Sequence, residues 1–217
     1  MTNGEIFDIF TSAGMTSEGA CAVMGNFMAE SSMKPNIVQR GMTKLSDEQY
    51  TAAVDNGLYD FADGIGYGYA QWTWGPRKRK LLEFAKANGV SIGNAEMQCQ
   101  FAIKELKEDF HTIWADLCQS KDLFQLTQLI CNVYENPAVK NVGTRYEYAK
   151  QFYDQMKNPA TSYNPKDPVA ATFPPDPTVL AFQLWMNYNG YACAVNGYKS
   201  GDFFPTLDQF VADMKKC

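Results

Sequence analysis

The sequence holds one histidine and no Cys-x-x-Cys pair, so it lacks the ligand clusters that bind zinc. Its six cysteines are scattered, and we expect neither a metal nor another cofactor. No hydrophobic run approaches the length of a transmembrane helix, so we expect no membrane insertion. The first residues lack the basic and apolar regions of a secretory signal, which favours synthesis as a cytosolic protein.

An excess of positive charge is also missing, since the net charge is -5 at pH 7 and the pI is about 4.9. Such a chain presents no general field that attracts a phosphate backbone or an anionic membrane, so we expect no nucleic-acid partner. The 217 residues suffice for one domain of ordinary size and a small appendage.

Helical patterns and one proline-rich stretch predict the organisation of the chain. Residues 158–177 hold six of the ten prolines, which is typical of an extended linker between a domain over 1–157 and a small helical module over 178–217. Residues 33–75 are rich in Gly, Asp and Tyr and predict loops and short strands. Helices are predicted near 6–10 and over 17–30, 76–88, 95–110, 122–135 and 144–156.

The stretch from Gly19 to Asn36 contains the candidate catalytic residue, Glu30. Apolar side chains recur there at helical spacing, at Ala20, Val23, Met24, Phe27 and Met28. At about 100° per residue Glu30 lies within about 20° of Val23, on the border of the apolar face. A carboxylate in that position would be partly desolvated, which favours the protonated form that a general acid needs. The alternative is an ordinary exposed residue in the last turn before Pro35.

Four blocks, in this order, resemble the phage tail-type lysozyme family of lysozyme-like glycosidases. They are GACAVMGNFMAESSMKPN, GYGYAQWTWGPRKRKLLEFAKANG, MQCQFAIKELKEDF and the ending VYENPA…RYEYAKQFY, and the resemblance covers residues 4–157. It implies a mainly α, α+β lysozyme-like fold, in which a helical domain carries a small irregular β lobe beside a cleft. It also implies hydrolysis of the β-1,4 glycan backbone of bacterial peptidoglycan, as an N-acetylmuramidase, with Glu30 as the general acid.

The resemblance also suggests substrate-binding residues. Gln71 matches the glutamine that borders the cleft in goose-type lysozymes and lytic transglycosylases. Tyr67 and Tyr69 offer flat faces on which saccharide rings can stack, and the alternative is that they belong to the core of the β lobe. Tyr134 is similar to a tyrosine that lytic enzymes of this fold present near the acid, and its alternative role is helix packing.

A second catalytic residue is harder to assign, because the usual positions carry no acid. Gly66 takes the place of the hen-type aspartate, and Thr73 takes that of the goose-type aspartate after Trp72. We predict Asp63 as the second residue and Thr73 as a group that positions water in an inverting attack. Asp63 could instead form a turn before Gly64. If neither residue acts, a lytic transglycosylase, which needs no second carboxylate, becomes the alternative.

The biological setting follows from the resemblance as a set of expectations. A monomeric endolysin would be made in the cytoplasm of the infected bacterium and would reach the cell wall after release by a holin; the alternative is a virion tail component. Residues 178–217 resemble a diverged peptidoglycan-binding repeat. Two other classes are a Cys-His amidase or endopeptidase using Cys21 and His111, and a non-catalytic virion protein that binds the wall.

Overall fold

The computed structural model describes residues 1–157, which fold into eight α-helices and one π-helical segment. The α-helices are α1 (Asn3–Ser12), α2 (Ser17–Ser31), α3 (Asp47–Asp55), α4 (Gly75–Ala87), α5 (Ala95–Glu108), α6 (His111–Gln119), α7 (Leu123–Leu129) and α8 (Val142–Lys157), and the π-helical segment is Ile130–Glu135. Residues Met1–Tyr153 form one compact unit. The mainly α prediction is confirmed, whereas the predicted linker and C-terminal module lie outside the described residues.

The segment predicted to hold only loops and short strands contains a helix, so that prediction is wrong for Asp47–Asp55. Ser46 and Gln49 form a capping box at its start, and this reciprocal pair of hydrogen bonds stabilises a helix that the periodicity did not indicate. The β lobe is reduced, in the described part of the chain, to isolated bridges that pair Val38 with Tyr67 and Tyr67 with Trp72.

Helix α2 lies in the centre of the core. Every residue from Gly19 to Phe27 is buried, so the helix is covered on all sides rather than on one face. Two glycines allow this: a Cβ on Gly19 would meet the carbonyl oxygen of Leu117 at 2.3 Å, and one on Gly25 would meet the backbone of α8 at 2.6 Å. Continuous burial ends at Phe27, and in the last turn Ala29 is exposed and Glu30 half-buried, so Glu30 lies at the edge of the core.

Candidate active site

The end of α2 holds Glu30 in a fixed backbone setting. The Ser31 hydroxyl donates a hydrogen bond to the carbonyl oxygen of Phe27 at 2.8 Å. Ser32 and Met33 then adopt left-handed conformations, with φ of 52° and 57°, and the helix stops. The chain therefore turns away directly after Glu30 and leaves its side chain at the rim of the core.

Arg145 of α8 binds the Glu30 side chain. Its Nη2 lies 2.5 Å from Glu30 Oε1, and its Nη1 donates to Asn26 Oδ1 at 3.0 Å. The Arg145 side chain is 6% exposed and that of Glu30 is 17% exposed, so both charges are largely shielded from water. A planar guanidinium that binds two acceptors restricts the Glu30 carboxylate to a narrow range of positions.

A cavity of about 480 Å³ opens beside Glu30. It is lined by Glu30, Gln39, Gly66, Ala70, Gln71, Thr73, Glu135, Asn136, Pro137 and Ala138. Three of the predicted site residues, Glu30, Gln71 and Thr73, thus meet in one concave surface, together with a second carboxyl group that the sequence analysis did not propose.

Gln71 and Thr73 are held by a tight turn that brings Trp72 back to pair with Tyr67. Gln71 has a φ of 44°, and its Nε2 donates to the carbonyl oxygen of Gly68 at 3.0 Å. The Thr73 hydroxyl donates to the carbonyl oxygen of Gln71 at 2.8 Å. Since that hydroxyl uses its proton on the backbone, its lone pairs remain able to accept from a water or a sugar hydroxyl.

The surroundings of Gly66, the position at which the resemblance predicts an aspartate in hen-type enzymes, leave little room for a side chain. A Cβ at this position would lie 2.8 Å from Gln71 Oε1 and 3.3 Å from Thr73 Oγ1. A side chain at residue 66 would therefore displace the two polar groups that line the cavity. In this protein, Gln71 and Thr73 occupy the space into which an aspartate would project.

Glu135 is the second carboxyl group of the cavity. It is the last residue of the π-helical segment, and Asn136 follows with a φ of 45°. Its Oε1 is buried and has no hydrogen-bond partner among residues 1–157. Burial, and next the charge of Glu30, raise the pKa of Glu135 well above its usual range. A feature of the sequence could have indicated this residue: Glu135 stands directly before Asn-Pro at the end of a predicted helix, as Glu30 stands near the end of its own helix.

Unusual backbone conformations concentrate around the cavity. Among the described residues, the non-glycine residues with positive φ are Ser32, Met33, Gln71 and Asn136. Each one lines the cavity or follows a lining residue within three positions. A π-helical turn ends at the same place. Such conformations cost about 1–3 kcal/mol each and collect at functional sites, which agrees with the assignment of this cavity as the candidate active site.

A buried group of hydrogen bonds around Glu105 holds residues next to the cavity lining. Arg77 binds both carboxylate oxygens of Glu105 at 2.8 Å. Trp72 Nε1 and the Tyr134 hydroxyl also donate to Glu105 Oε2, at 2.8 and 2.9 Å. Because Trp72 precedes Thr73 and Tyr134 precedes Glu135, this one carboxylate fixes two segments of the cavity wall.

The three tyrosines proposed as substrate contacts lie in the core. Tyr67, Tyr69 and Tyr134 are exposed by 0%, 2% and 1%, and none lines the cavity. The Tyr67 hydroxyl forms a hydrogen bond with Thr51, and Tyr69 stacks on Phe27 with ring centroids 5.4 Å apart. Their rings therefore support the cavity walls and present no open face to a saccharide in this conformation.

Asp63 is also separated from the cavity lining. Its Oδ1 accepts from Lys78 Nζ at 2.5 Å and from the Ile65 backbone, while its Oδ2 accepts from the Tyr50 hydroxyl at 2.7 Å. Although burial opposes the charge, these donors together lower the pKa of Asp63. The Lys78 side chain has no exposure to solvent, so the two residues form an internal ion pair.

The alternative pair Cys21 and His111 is not part of the cavity either, since Cys21 is fully buried in α2 and His111 is exposed at the start of α6. Across residues 1–157, no three His, Cys, Asp or Glu side chains come together in a way that would hold a metal ion. Within the same residues, none of the helices combines the length and apolar character needed to cross a bilayer.

Comparison with known proteins identifies the family of the chain. A search of curated proteins gives no match. The family description "Phage tail lysozyme" matches residues 2–156, which include every helix from α1 to α7 and nearly all of α8. The match covers well over half of the chain and all the described residues that line the cavity. The chain therefore belongs to the phage tail lysozyme family, whose general activity is lysozyme-like lysis of peptidoglycan.

Proposed function

We propose that the protein hydrolyses the β-1,4 bond between N-acetylmuramic acid and N-acetylglucosamine in bacterial peptidoglycan, with Glu30 as the general acid. The observation that carries the proposal is the placement of the Glu30 carboxylate, which Arg145 holds at the wall of a cavity of about 480 Å³. Gln39, Gln71 and Thr73 supply amide and hydroxyl groups on the same surface, as binding of a sugar requires.

The proposed reaction is a single displacement. Glu30 gives its proton to the glycosidic oxygen, and the bond from that oxygen to the anomeric carbon breaks. A water attacks the anomeric carbon from the opposite face and releases a proton, so the products are two shorter glycans with one new reducing end. The Thr73 hydroxyl accepts a hydrogen bond from this water and directs it, because its own proton is engaged by the carbonyl oxygen of Gln71.

The environment of Asp63 favours a structural role over the catalytic role expected from the sequence. A carboxylate with three donors, one of them a buried lysine, has little remaining capacity to bind or activate a water. We therefore propose that Asp63 stabilises the loop before Gly66 and does not act on the substrate. A catalytic Asp63 stays the alternative.

The setting we propose is that of an endolysin. It acts as a monomer, accumulates in the cytoplasm of the infected bacterium and reaches the peptidoglycan after holin-dependent release. Action from the virion tail is the alternative location. The two differ in whether the protein is present in purified phage particles, so immunodetection in particles would distinguish them.

One digestion experiment tests the activity. Purified peptidoglycan is treated with the wild-type protein, Glu30→Gln and Cys21→Ser, and the soluble products are analysed by mass spectrometry. We expect new reducing ends with the wild type and Cys21→Ser, and a loss of at least about 100-fold with Glu30→Gln. Anhydro-muramic products would identify a lytic transglycosylase, and free amino groups an amidase or peptidase. An active Glu30→Gln protein would refute the proposal.

A further inference from the structure

Three carboxyl groups and two guanidinium groups interact around the cavity, of which Glu30 and Glu135 line it. Glu30 contacts Arg145, and Glu105 is held at both oxygens by Arg77. Glu135 interacts electrostatically with all four of these residues. If every group were charged, this partly buried cluster would carry a net negative charge, which is costly away from water. One proton on one carboxyl group removes that excess.

The hydrogen bonds indicate which carboxyl group carries the proton. Glu105 accepts hydrogen bonds from Arg77, Trp72 and Tyr134, so both of its oxygens are occupied as acceptors. Glu135 differs, since its buried Oε1 is without a hydrogen-bond partner among the described residues. The direction of its pKa shift agrees, because burial and the nearby Glu30 charge both favour a protonated Glu135.

We propose that Glu135 is a positioning residue for the acid, and that Glu135 and Glu30 share one proton across the cavity wall. This inference rests on the proposed function, in which Glu30 is the proton donor. Arg145 Nη2 lies 2.5 Å from Glu30 Oε1, and a general acid must itself carry a proton before it can protonate a leaving group. In the proposed pair, the form with the shared proton on Glu30 and the negative charge on Glu135 is the form that acts as the acid.

The proton count is the same in both forms of the pair. Either Glu135 is neutral and Glu30 charged, or Glu30 is neutral and Glu135 charged, and the total charge of the cluster does not change. When Glu30 protonates the glycosidic oxygen, the pair loses its proton, and the proton released by the attacking water or by solvent restores it. Groups that titrate together in this way show apparent pKa values that belong to the pair and not to either residue alone.

Other ionisable groups face the pair from neighbouring elements. Arg145 approaches from α8, Arg77 from α4 and Glu105 from α5, while Tyr134 and Cys131 share the π-helical segment with Glu135. Burial raises the pKa of both the Tyr134 hydroxyl and the Cys131 thiol, so neither becomes ionised near neutral pH in competition with the carboxyl pair.

The test is the pH dependence of kcat/KM on purified peptidoglycan for the full chain and for Glu135→Gln. Glutamine removes the second negative charge, so the alkaline limb of the profile should move to lower pH by about one unit or more, with about tenfold lower activity at neutral pH that recovers in acid. Glu135→Asp, which keeps the charge, should stay closer to the wild type. Glu108→Gln, at an exposed position of α5, should leave the profile unchanged.

An NMR titration tests the interaction of the two carboxyl groups without relying on activity, which a folding defect could also reduce. Carboxyl resonances of the protein labelled with ¹³C-glutamate should show that Glu135 titrates at lower pH in Glu30→Gln than in the wild type, because the neighbouring charge is gone. A uniform loss of activity in Glu135→Gln with an unshifted profile would overturn the inference and leave the proposed function intact. Failure of Glu30→Gln to abolish activity would instead refute the proposed function itself.

Discussion

Arg145 joins the candidate acid to the core, because its guanidinium binds Glu30 at 2.5 Å and Asn26 at 3.0 Å. Asn26 and Glu30 are four residues apart and so lie on one face of α2. Gly25, on the adjacent position, lets the backbone of α8 approach closely enough for this contact. The orientation of the acid therefore depends on a residue 115 positions away in the sequence.

Replacing Arg145 should affect stability and activity together. In Arg145→Met, the Asn26 and Glu30 acceptors lose their donor, and we expect a loss of about 3–5 kcal/mol in the free energy of unfolding. Arg145→Lys keeps the charge but not the planar pair of donors, so we expect a smaller loss of about 1–3 kcal/mol. Activity at a temperature where Arg145→Lys is folded should fall about 10- to 100-fold, since the acid is misplaced.

Urea unfolding and peptidoglycan turnover measure the two effects. Arg79→Lys on the exposed side of α4 is the matched control, and it should alter neither quantity. A fully stable and fully active Arg145→Lys would show that the double contact does not hold the acid.

The sequence predicted three residues of the candidate site, but it did not predict the residues that contact them from distant parts of the chain. The end of α2 and the position of Glu30 followed from helical spacing, and Gln71 and Thr73 followed from the resemblance. Arg145 escaped notice because its contact is made between distant helices, which no local pattern records. Glu135 escaped notice because a regular helix was expected over 122–135, whereas the π-helical turn carries this carboxyl group to the cavity.

The tyrosines show a second limit of prediction from the sequence. Aromatic residues in a glycine-rich stretch are compatible with a sugar platform and with a core, and only packing distinguishes the two. Tyr67 and Tyr69 pack against Phe61 and Phe27 because this lobe has almost no sheet in the described residues, so aromatic rings form much of its interior. An exposed ring nearby belongs instead to Trp74, which the sequence analysis left without a role.

Trp74 should contribute to substrate affinity. It follows the cavity residue Thr73, and it is 67% exposed, so its ring is available to stack on a sugar. We expect Trp74→Ala to raise KM on peptidoglycan fragments by about 2- to 10-fold, with little change in kcat or in the midpoint of thermal unfolding. Leu58→Ala, which removes a side chain that is 81% exposed, is the control and should leave KM unchanged. Equal KM values for the two variants would exclude Trp74 from the binding surface.

The glycine at position 66 should be required for the geometry of the cavity. In Gly66→Ala, the added methyl group would meet Gln71 Oε1 at 2.8 Å and push the amide away from its two carbonyl acceptors. We expect activity to fall about tenfold or more, and stability to fall by about 1 kcal/mol, since a hydrogen bond is lost.

Gly143→Ala is the matched control for this substitution. Residue 143 lies near the start of α8, and a Cβ there meets nothing within 4 Å. Alanine should leave activity unchanged and should raise the melting temperature slightly, because it favours helix more than glycine does. Normal turnover by Gly66→Ala would mean that the Gln71 amide does not take part in the reaction.

The C-terminal residues should act in attachment rather than in catalysis. A chain truncated after Lys157 retains every cavity-lining residue that the structure describes and loses the predicted wall-binding module. We expect it to cleave soluble glycan fragments at the wild-type rate but to sediment more weakly with intact walls, because a second binding site raises the effective concentration at the wall. Equal sedimentation of the truncated and full-length chains would show that residues 158–217 are not an anchor.

Asp63 should prove important for stability and dispensable for turnover. Asp63→Asn leaves the buried Lys78 ammonium without its counter-charge, so we expect a loss of about 3–5 kcal/mol in the free energy of unfolding at neutral pH. Because the pKa of Asp63 is lowered in the folded state, the wild type should also lose this contribution as the pH falls below about 4, whereas Asp63→Asn should lack that part of the acid dependence.

A double variant separates this structural role from a catalytic one. Asp63→Asn combined with Lys78→Met removes both members of the ion pair, and the absence of an unpaired buried charge should restore much of the lost stability. If Asp63 only supports the loop before Gly66, the folded double variant should turn over peptidoglycan within a few-fold of the wild-type kcat. A stable double variant with a kcat reduced 100-fold or more would show that Asp63 takes part in catalysis, because loss of folding could then not account for the loss of activity.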